Sequence, residues 1–328
     1  MSTNKGLALV NRDHDGVNRD FRDDVLTGLS EAQKAIPARW LYDDAGSQLF
    51  EDITQIPEYY PTRAETQILQ SRSSDFAEKI ASGSAVVEFG SGSSVKTPLL
   101  LSAINPAAYV PLDISGDFLR ASAEALSAKF PGLPVYPVEA DFMRRVELPT
   151  QIARLPKLGF FPGSTIGNMV ARTAVDLLRT MRETLDEGSQ LVIGMDLIKD
   201  PDVLIAAYDD AKGVTADFNL NLARRINREL EGDIPVDALK HVALWNDEYA
   251  RVEMHLQATR DIAFTVSGRE FSMQSGDTIH TENSHKFDRR TSHTLLLAGG
   301  WTPVERWVDG QERFSLILAE ATVPRSAP

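Results

Sequence analysis

The chain has 328 residues, a formal net charge of −13 and no cysteine. The acidic balance speaks against nucleic acid and anionic membrane as partners, because a phosphate-coated surface calls for a basic face. Without cysteine there can be no disulfide, thiolate nucleophile or Cys-ligated metal centre, and with 42% hydrophobic and 25% charged residues the composition is that of an ordinary globular protein.

The N-terminal stretch MSTNKGLALVNRDHDG has too short an apolar run for a signal peptide, and no membrane-spanning run follows. A cytoplasmic protein is expected. Residues 21–82 read as mostly helical, interrupted by QIPEYYPT, where Pro57 and Pro61 bracket Tyr59 and Tyr60. Proline at both ends makes a stiff loop, which is either a structural corner or a ligand wall. Short apolar runs then alternate with helical windows. The runs are AVVEFG (85–90), AYVPLDIS (108–115), VYPVEAD (135–141), LGFFPGST (158–165) and QLVIGMDL (190–197). Strand–helix alternation with apolar strands predicts an α/β fold with a parallel sheet covered on both faces.

After residue 197 the alternation stops. A helical stretch broken near Gly213 precedes RVEMHLQA, IAFTVSG and REFSMQSG, which read as an antiparallel meander. The chain closes with a helical window before GGW and the hairpin PVERWV–DGQ–RFSLILAEA. Residues 198–286 are therefore expected to form a subdomain inserted before the last sheet strands.

Three segments carry candidate chemistry. The first is the loop GSGSSVKT, which narrowly misses two phosphate-binding motifs. Val95 stands where both a P-loop and a dinucleotide fingerprint need glycine. What survives is strand, acid, Gly-x-Gly turn and helix: Glu88-Phe89-Gly90-Ser91-Gly92, with Asp113 closing the next strand. An acid there can accept both ribose hydroxyls. A glycine turn without a pyrophosphate grip suits a nucleoside such as S-adenosylmethionine. In EADF (139–142) Asp141 could reach the adenine amine and Phe142 could flank the ring. The same features also fit plain strand–turn–helix punctuation. The second segment, LGFFPGSTIGNM, places Gly163, Ser164, Thr165, Gly167 and Asn168 at the carboxyl edge of the sheet, where ligands bind, although Asn168 could equally cap the next helix. Tyr208, on a helix, reads as a packing residue. The third is HTENSHKF: if extended, Glu282, Ser284 and Lys286 share one face. The pair Glu282 and Ser284 could bind a small polar group, or the segment could be an exposed edge strand. The six histidines, His14, His241, His255, His280, His285 and His293, form no recognised ligand spacing, so no metal is expected.

In combination, RWLYDDAGSQLFEDITQIPEYYPTRAETQIL, VEFGSGSSVKT, PLDIS, GSTIGN, AYDDAKGVTADFNLNLARRINREL and TENSHKF resemble the histidine Nα-methyltransferases of ergothioneine biosynthesis, from about Arg39 onward. The resemblance implies a Rossmann-like class I methyltransferase sheet (63–197 and 287–328), an inserted α+β substrate-binding domain (198–286) and an N-terminal helical segment (1–62) contributing to the active site. It implies a donor site of Tyr42, Phe50, Gly90, Lys96, Asp113, Asp141 and Phe142 for S-adenosylmethionine. It implies a substrate site of Tyr59, Gly163, Asn168, Tyr208, Glu282 and Ser284, with Asn168 and Tyr208 on the carboxylate and Glu282 and Ser284 on the imidazole. Tyr42 and Tyr59 are the candidate catalytic residues, as aromatic faces for a growing ammonium cation. His285 and Pro162 depart from the family pattern outside the ligand-contacting positions. The expected reaction gives trimethylhistidine (hercynine), by a monomer acting on a small-molecule amino acid. The alternatives are Nα-methylation of tryptophan or another amino acid, an NAD-dependent dehydrogenase, and a non-catalytic nucleoside-binding module.

Overall fold

The structure, a computed structural model, describes residues 16–92, 96–114 and 116–321. The expectations for the N-terminal stretch, for His14, for Val95 and for the end of the second strand at Ser115 lie outside the described residues. The chain divides into two compact units: residues up to Tyr60 with Lys199–His285, and Pro61–Ile198 with the segment from Lys286 onward. The N-terminal segment thus groups with the inserted one.

The second unit holds the α/β sheet. Its seven strands lie in the order Trp301–Val308, Phe314–Ala321, Gln190–Asp196, Lys157–Phe161, Ala85–Phe89, Ala108–Asp113, Val138–Glu139. The five strands from Gln190–Asp196 to Val138–Glu139 run parallel. Phe314–Ala321 runs antiparallel to both its neighbours. This is the class I methyltransferase arrangement. Ala85–Phe89 is buried at every position, as a central parallel strand must be. Crossover helices include Thr97–Ile104, Gly116–Lys129 and Ala171–Leu185. The last buries Ala174, Leu177, Leu178, Met181 and Leu185 at helical spacing against the sheet core. The strand expected over 135–141 is paired only at Val138–Glu139, with an isolated bridge from Val135 to Tyr109. Pro134 and Pro137 supply no N–H to a ladder there.

One residue in the central strand breaks its apolar run. Glu88 is 1% exposed and accepts hydrogen bonds from the Thr97 hydroxyl at 2.8 Å and from the Tyr109 hydroxyl. Burial pushes its pKa from 4.5 up to about 7, against the lowering effect of those hydroxyls. The folded state therefore holds the proton more tightly than the unfolded chain. The resulting stabilisation is present below about pH 4.5 and is lost as pH rises through about 7. Glu88→Gln keeps an acceptor and removes the titration. Its stability relative to wild type should rise by on the order of 2 kcal/mol between pH 5 and pH 8. Denaturant melts at both pH values check this, and parallel profiles would contradict it.

The first unit is α+β. Its main helices are Arg19–Ser30, Asp44–Gln55, Pro201–Tyr208 and Val214–Glu229. Sequence-local signals start three of them: Asn18, Asp43 and Asp200 each accept a backbone N–H as caps, and Pro201 takes the first position of its helix. A four-stranded sheet follows the order Lys34–Ala35, Thr278–His285, Arg251–Ala258, Leu239–Asn246. Ile262–Val266 and Arg269–Met273 form a separate hairpin. The strand Leu239–Asn246 has no counterpart among the sequence expectations, because Val242-Ala243-Leu244-Trp245 is a continuous apolar run without period-two alternation.

Candidate active site

In the α/β unit, the Gly-x-Gly turn is built as its sequence requires. Gly90 and Gly92 both adopt left-handed backbone, with φ of 71° and 47°. The Gly90 N–H donates to the Leu112 carbonyl at 2.9 Å, which seats the turn over the second strand. The Gly92 N–H donates to the Asp113 carboxylate at 3.0 Å. A Cβ on Gly90 would stand 3.3 Å from the Phe142 ring, so glycine leaves a cradle that any side chain would narrow. Phe142 itself packs against Phe89 and Phe161, with ring centroids 6.4 and 6.0 Å apart. Asp141 accepts the Met143 N–H at 3.0 Å and so fixes the bend that carries Phe142. These residues fit a nucleoside donor: a tight backbone turn, an acid closing the adjacent strand, and an aromatic ring beside the glycine.

Lys96 precedes the helix Thr97–Ile104, and its ammonium pairs with the buried Glu65 carboxylate. Gly163 and Ser164 turn the chain after Lys157–Phe161 with φ of 79° and 59°, and the turn runs into the short helical segment Thr165–Asn168. Asn168 does not cap the following helix. Val170 holds that position, with no side-chain cap. The capping explanation for Asn168 is thereby removed. Lys286, on the expected face of the third motif, is fully buried and ion-paired with Asp196 at 2.8 Å.

In the α+β unit, Tyr42, Phe50, Tyr59 and Tyr208 fall into one aromatic cluster. Tyr42 meets Phe50 edge-on at 5.5 Å, Phe50 meets Tyr59 at 6.2 Å, and Tyr59 meets Tyr208 at 6.3 Å. Phe218, on Val214–Glu229, completes the group at 5.4 Å from Tyr42 and 6.2 Å from Phe50. Sequence reasoning missed Phe218, whose 2% exposure marks it only as core. Burial, then the nearby Glu282, Tyr59 and Tyr208, push the Tyr42 phenol well above its ordinary value of 10.0. Tyr42 keeps 38% of its surface exposed to solvent. The phenol stays protonated at neutral pH.

Thr278–His285 is not an exposed edge strand. Arg251–Ala258 pairs with it along its length and Lys34–Ala35 pairs with Ile279 and His280 on the other side, and Glu282 and Ser284 are buried. A bulge between His280 and Glu282 shifts the register, so Ile279 pairs with Leu256 and Glu282 with Met254. The extra residue flips the alternation. Glu282 (8% exposed) and Ser284 (3%) therefore take the same buried face as Ile279, Leu256 and Met254, while His280 takes the other. The Ser284 and Tyr208 hydroxyls hydrogen-bond at 2.6 Å, which ties the strand to the aromatic cluster.

On the opposite face the structure gathers a group that sequence spacing did not reveal. Glu253, His255 and His280 offer ligand atoms within 4.8 Å of one another. The two rings stack at 4.6 Å with planes 19° apart. Stacked imidazoles do not aim lone pairs at a common point, and Arg251 already bonds Glu253 at 2.7 Å. Through burial and then its neighbours, chiefly His255, His280 is held below its ordinary value. Its neutral form suits stacking on His255.

A parallel sheet with an antiparallel seventh strand, a glycine turn and a strand-end acid is the frame of a methyltransferase dependent on S-adenosylmethionine. Residues 21–321 match the family described as histidine-specific, SAM-dependent methyltransferases, and the chain belongs to that family. It is 40% identical over 313 residues to the histidine N-alpha-methyltransferase of Mycolicibacterium smegmatis, covering 93% of this chain and 96% of that one. It is 39% identical over 306 residues to the enzyme of the same name from Mycobacterium tuberculosis, covering 91% and 94%. Ergothioneine biosynthesis protein 1 of Neurospora crassa is 31% identical over 306 residues, covering 89% of this chain and 34% of that longer protein. No helix among the described residues is long and apolar enough to cross a membrane.

Proposed function

We propose that the protein transfers methyl groups from S-adenosylmethionine to the α-amine of L-histidine, giving Nα,Nα,Nα-trimethylhistidine (hercynine) for ergothioneine biosynthesis. The observation that carries this reading, beside family membership, is the bulged strand. It sets a carboxylate and a hydroxyl, Glu282 and Ser284, on one buried face. A neutral imidazole offers one N–H and one acceptor nitrogen, and this pair can satisfy both. On this reading Asp113 holds the donor's ribose, Asp141 and Phe142 its adenine, and Gly90 gives it room. Tyr42, Phe50 and Lys96 complete the donor residues. Tyr59, Gly163, Asn168 and Tyr208 complete the substrate residues. The protein works as a cytoplasmic monomer on a free amino acid, without metal, membrane or nucleic acid.

The donor, when bound, supplies an electrophilic methyl group on a sulfonium. The chain's own task is alignment and exclusion of water. No oxyanion develops, so no oxyanion hole is required. Each transfer leaves positive charge on the amine, which ends as a permanent cation. The faces of Tyr42, Tyr59 and their ring neighbours suit that charge through cation–π attraction. Tyr42 stays protonated and so does not take the amine's proton at neutral pH. The amine must arrive neutral or lose its proton to water.

It follows that kcat/KM for histidine should rise between about pH 7 and pH 9, as a free α-amine deprotonates. Initial rates at saturating donor check this, and a flat profile with chemistry limiting would contradict it. The reading as a whole is tested by one incubation with labelled methyl donor and all twenty amino acids, resolved by mass spectrometry. Label should collect on histidine, and label on tryptophan or on nothing would overturn the assignment.

A further inference from the structure

Glu65 has no role in any reading so far, yet its setting is unusual. It lies on the helix Pro61–Ser71 with 0% exposure. An isolated buried carboxylate is costly and is retained only when paired and hydrogen-bonded. Glu65 meets both conditions within the α/β unit. Its oxygens accept the Gly163 N–H at 3.1 and 3.0 Å, and one of them pairs with the Lys96 ammonium. Space is kept for it from behind. A Cβ on Gly194, in the strand Gln190–Asp196, would stand 2.5 Å from Glu65 Oε1.

The two groups it holds come from opposite halves of the proposed chemistry. Lys96 is a donor residue. Gly163 begins the turn that presents Asn168, a substrate residue. The Ser164 hydroxyl also anchors that turn, accepting the Asp196 N–H at 2.9 Å. Ser164, next to Gly163, sits in left-handed backbone with φ of 59°, a conformation that a non-glycine residue keeps only where its surroundings hold it.

We propose that Glu65 is a positioning residue for methyl transfer: one buried carboxylate sets the Lys96 ammonium toward the donor and the Gly163–Asn168 turn toward the amino acid. The proposal rests on the functional reading above for the roles of Lys96 and Asn168. On this reading Glu65 acts through Lys96 and Gly163.

Two variants of the full-length protein test this. Glu65→Gln keeps an acceptor for Gly163 but loses the ion pair. Gly194→Ala changes no charge and pushes the carboxylate from its place. For each, S-adenosylhomocysteine affinity is measured by calorimetry, and kcat and KM for histidine by initial rates. A charge-assisted bond lost from each ligand's support predicts a rise of about tenfold or more in both Kd and KM, with kcat reduced less than about threefold. A merely structural role would lower kcat with the fraction folded and leave Kd and KM near wild type. That pattern, or a folded variant with both constants within about twofold of wild type, would overturn the proposal. Should Glu65→Gln fail to fold, Gly194→Ala carries the same test. If the wild type does not methylate histidine, the functional reading has failed, and the Kd arm alone still decides whether Glu65 sets Lys96.

Discussion

Asp113→Ala should weaken binding of S-adenosylmethionine by at least about a hundredfold. A carboxylate can accept both ribose hydroxyls, and each hydrogen bond to a charged group contributes roughly 1.5–3 kcal/mol, so two lost bonds exceed about 3 kcal/mol. The structure adds a second loss. Asp113 also accepts the Gly92 N–H at 3.0 Å, so the alanine variant loosens the glycine turn that forms the floor of the cradle. Asp113→Asn retains one acceptor oxygen, which can keep the Gly92 contact while the amide nitrogen replaces the second acceptor, and should fall between the two. Calorimetric titration with S-adenosylhomocysteine measures all three proteins. Equal affinity in wild type and alanine variant would remove Asp113 from the donor site.

Glu282→Ala should cost histidine methylation roughly 1.5–3 kcal/mol in kcat/KM, about 10- to 150-fold. Glu282 is 8% exposed beside Ser284 on the bulged strand, so on the proposed reading its carboxyl group meets the substrate in partly dry surroundings. A site built to hydrogen-bond a polar side chain rejects an apolar one, because its buried groups are left unpaired. Removing the carboxylate removes that penalty. Tryptophan and phenylalanine should therefore lose less than histidine, or gain. The measured quantity is the ratio of kcat/KM for histidine to that for tryptophan in both proteins. An unchanged ratio would mean that Glu282 does not read the side chain.

The two groups of candidate residues were legible to different degrees. The local geometry of the proposed donor residues could be read because its signals are local. A buried parallel strand, a pair of glycines with positive φ and an acid at the next strand's end lie within a few residues of one another, and the chain folds them as written. Even there, the third strand shrank to Val138–Glu139, since prolines interrupt a pattern that apolar content alone suggests. In the other group, the pairing of Glu282 with Ser284 was visible from period-two geometry, but not which face they take. That depends on the bulge between His280 and Glu282, a property of pairing with the neighbouring strand. Phe218 looked like any core residue of an amphipathic helix, because nothing in sequence tells a ring that packs only in the core from one that also joins Tyr42 and Phe50. Glu65 was hidden for a similar reason. Nothing within RAETQIL singles it out, and only the fold brings Lys96, Gly163 and Gly194 around it.

The account stands most directly on where the methyl groups go. L-histidine incubated with an excess of S-adenosylmethionine labelled with carbon-13 in the methyl group, and followed by tandem mass spectrometry, should accumulate a product with three labelled methyl groups, all on the α-nitrogen and none on the imidazole. Label on the ring, or none on histidine while another amino acid is labelled, would contradict it.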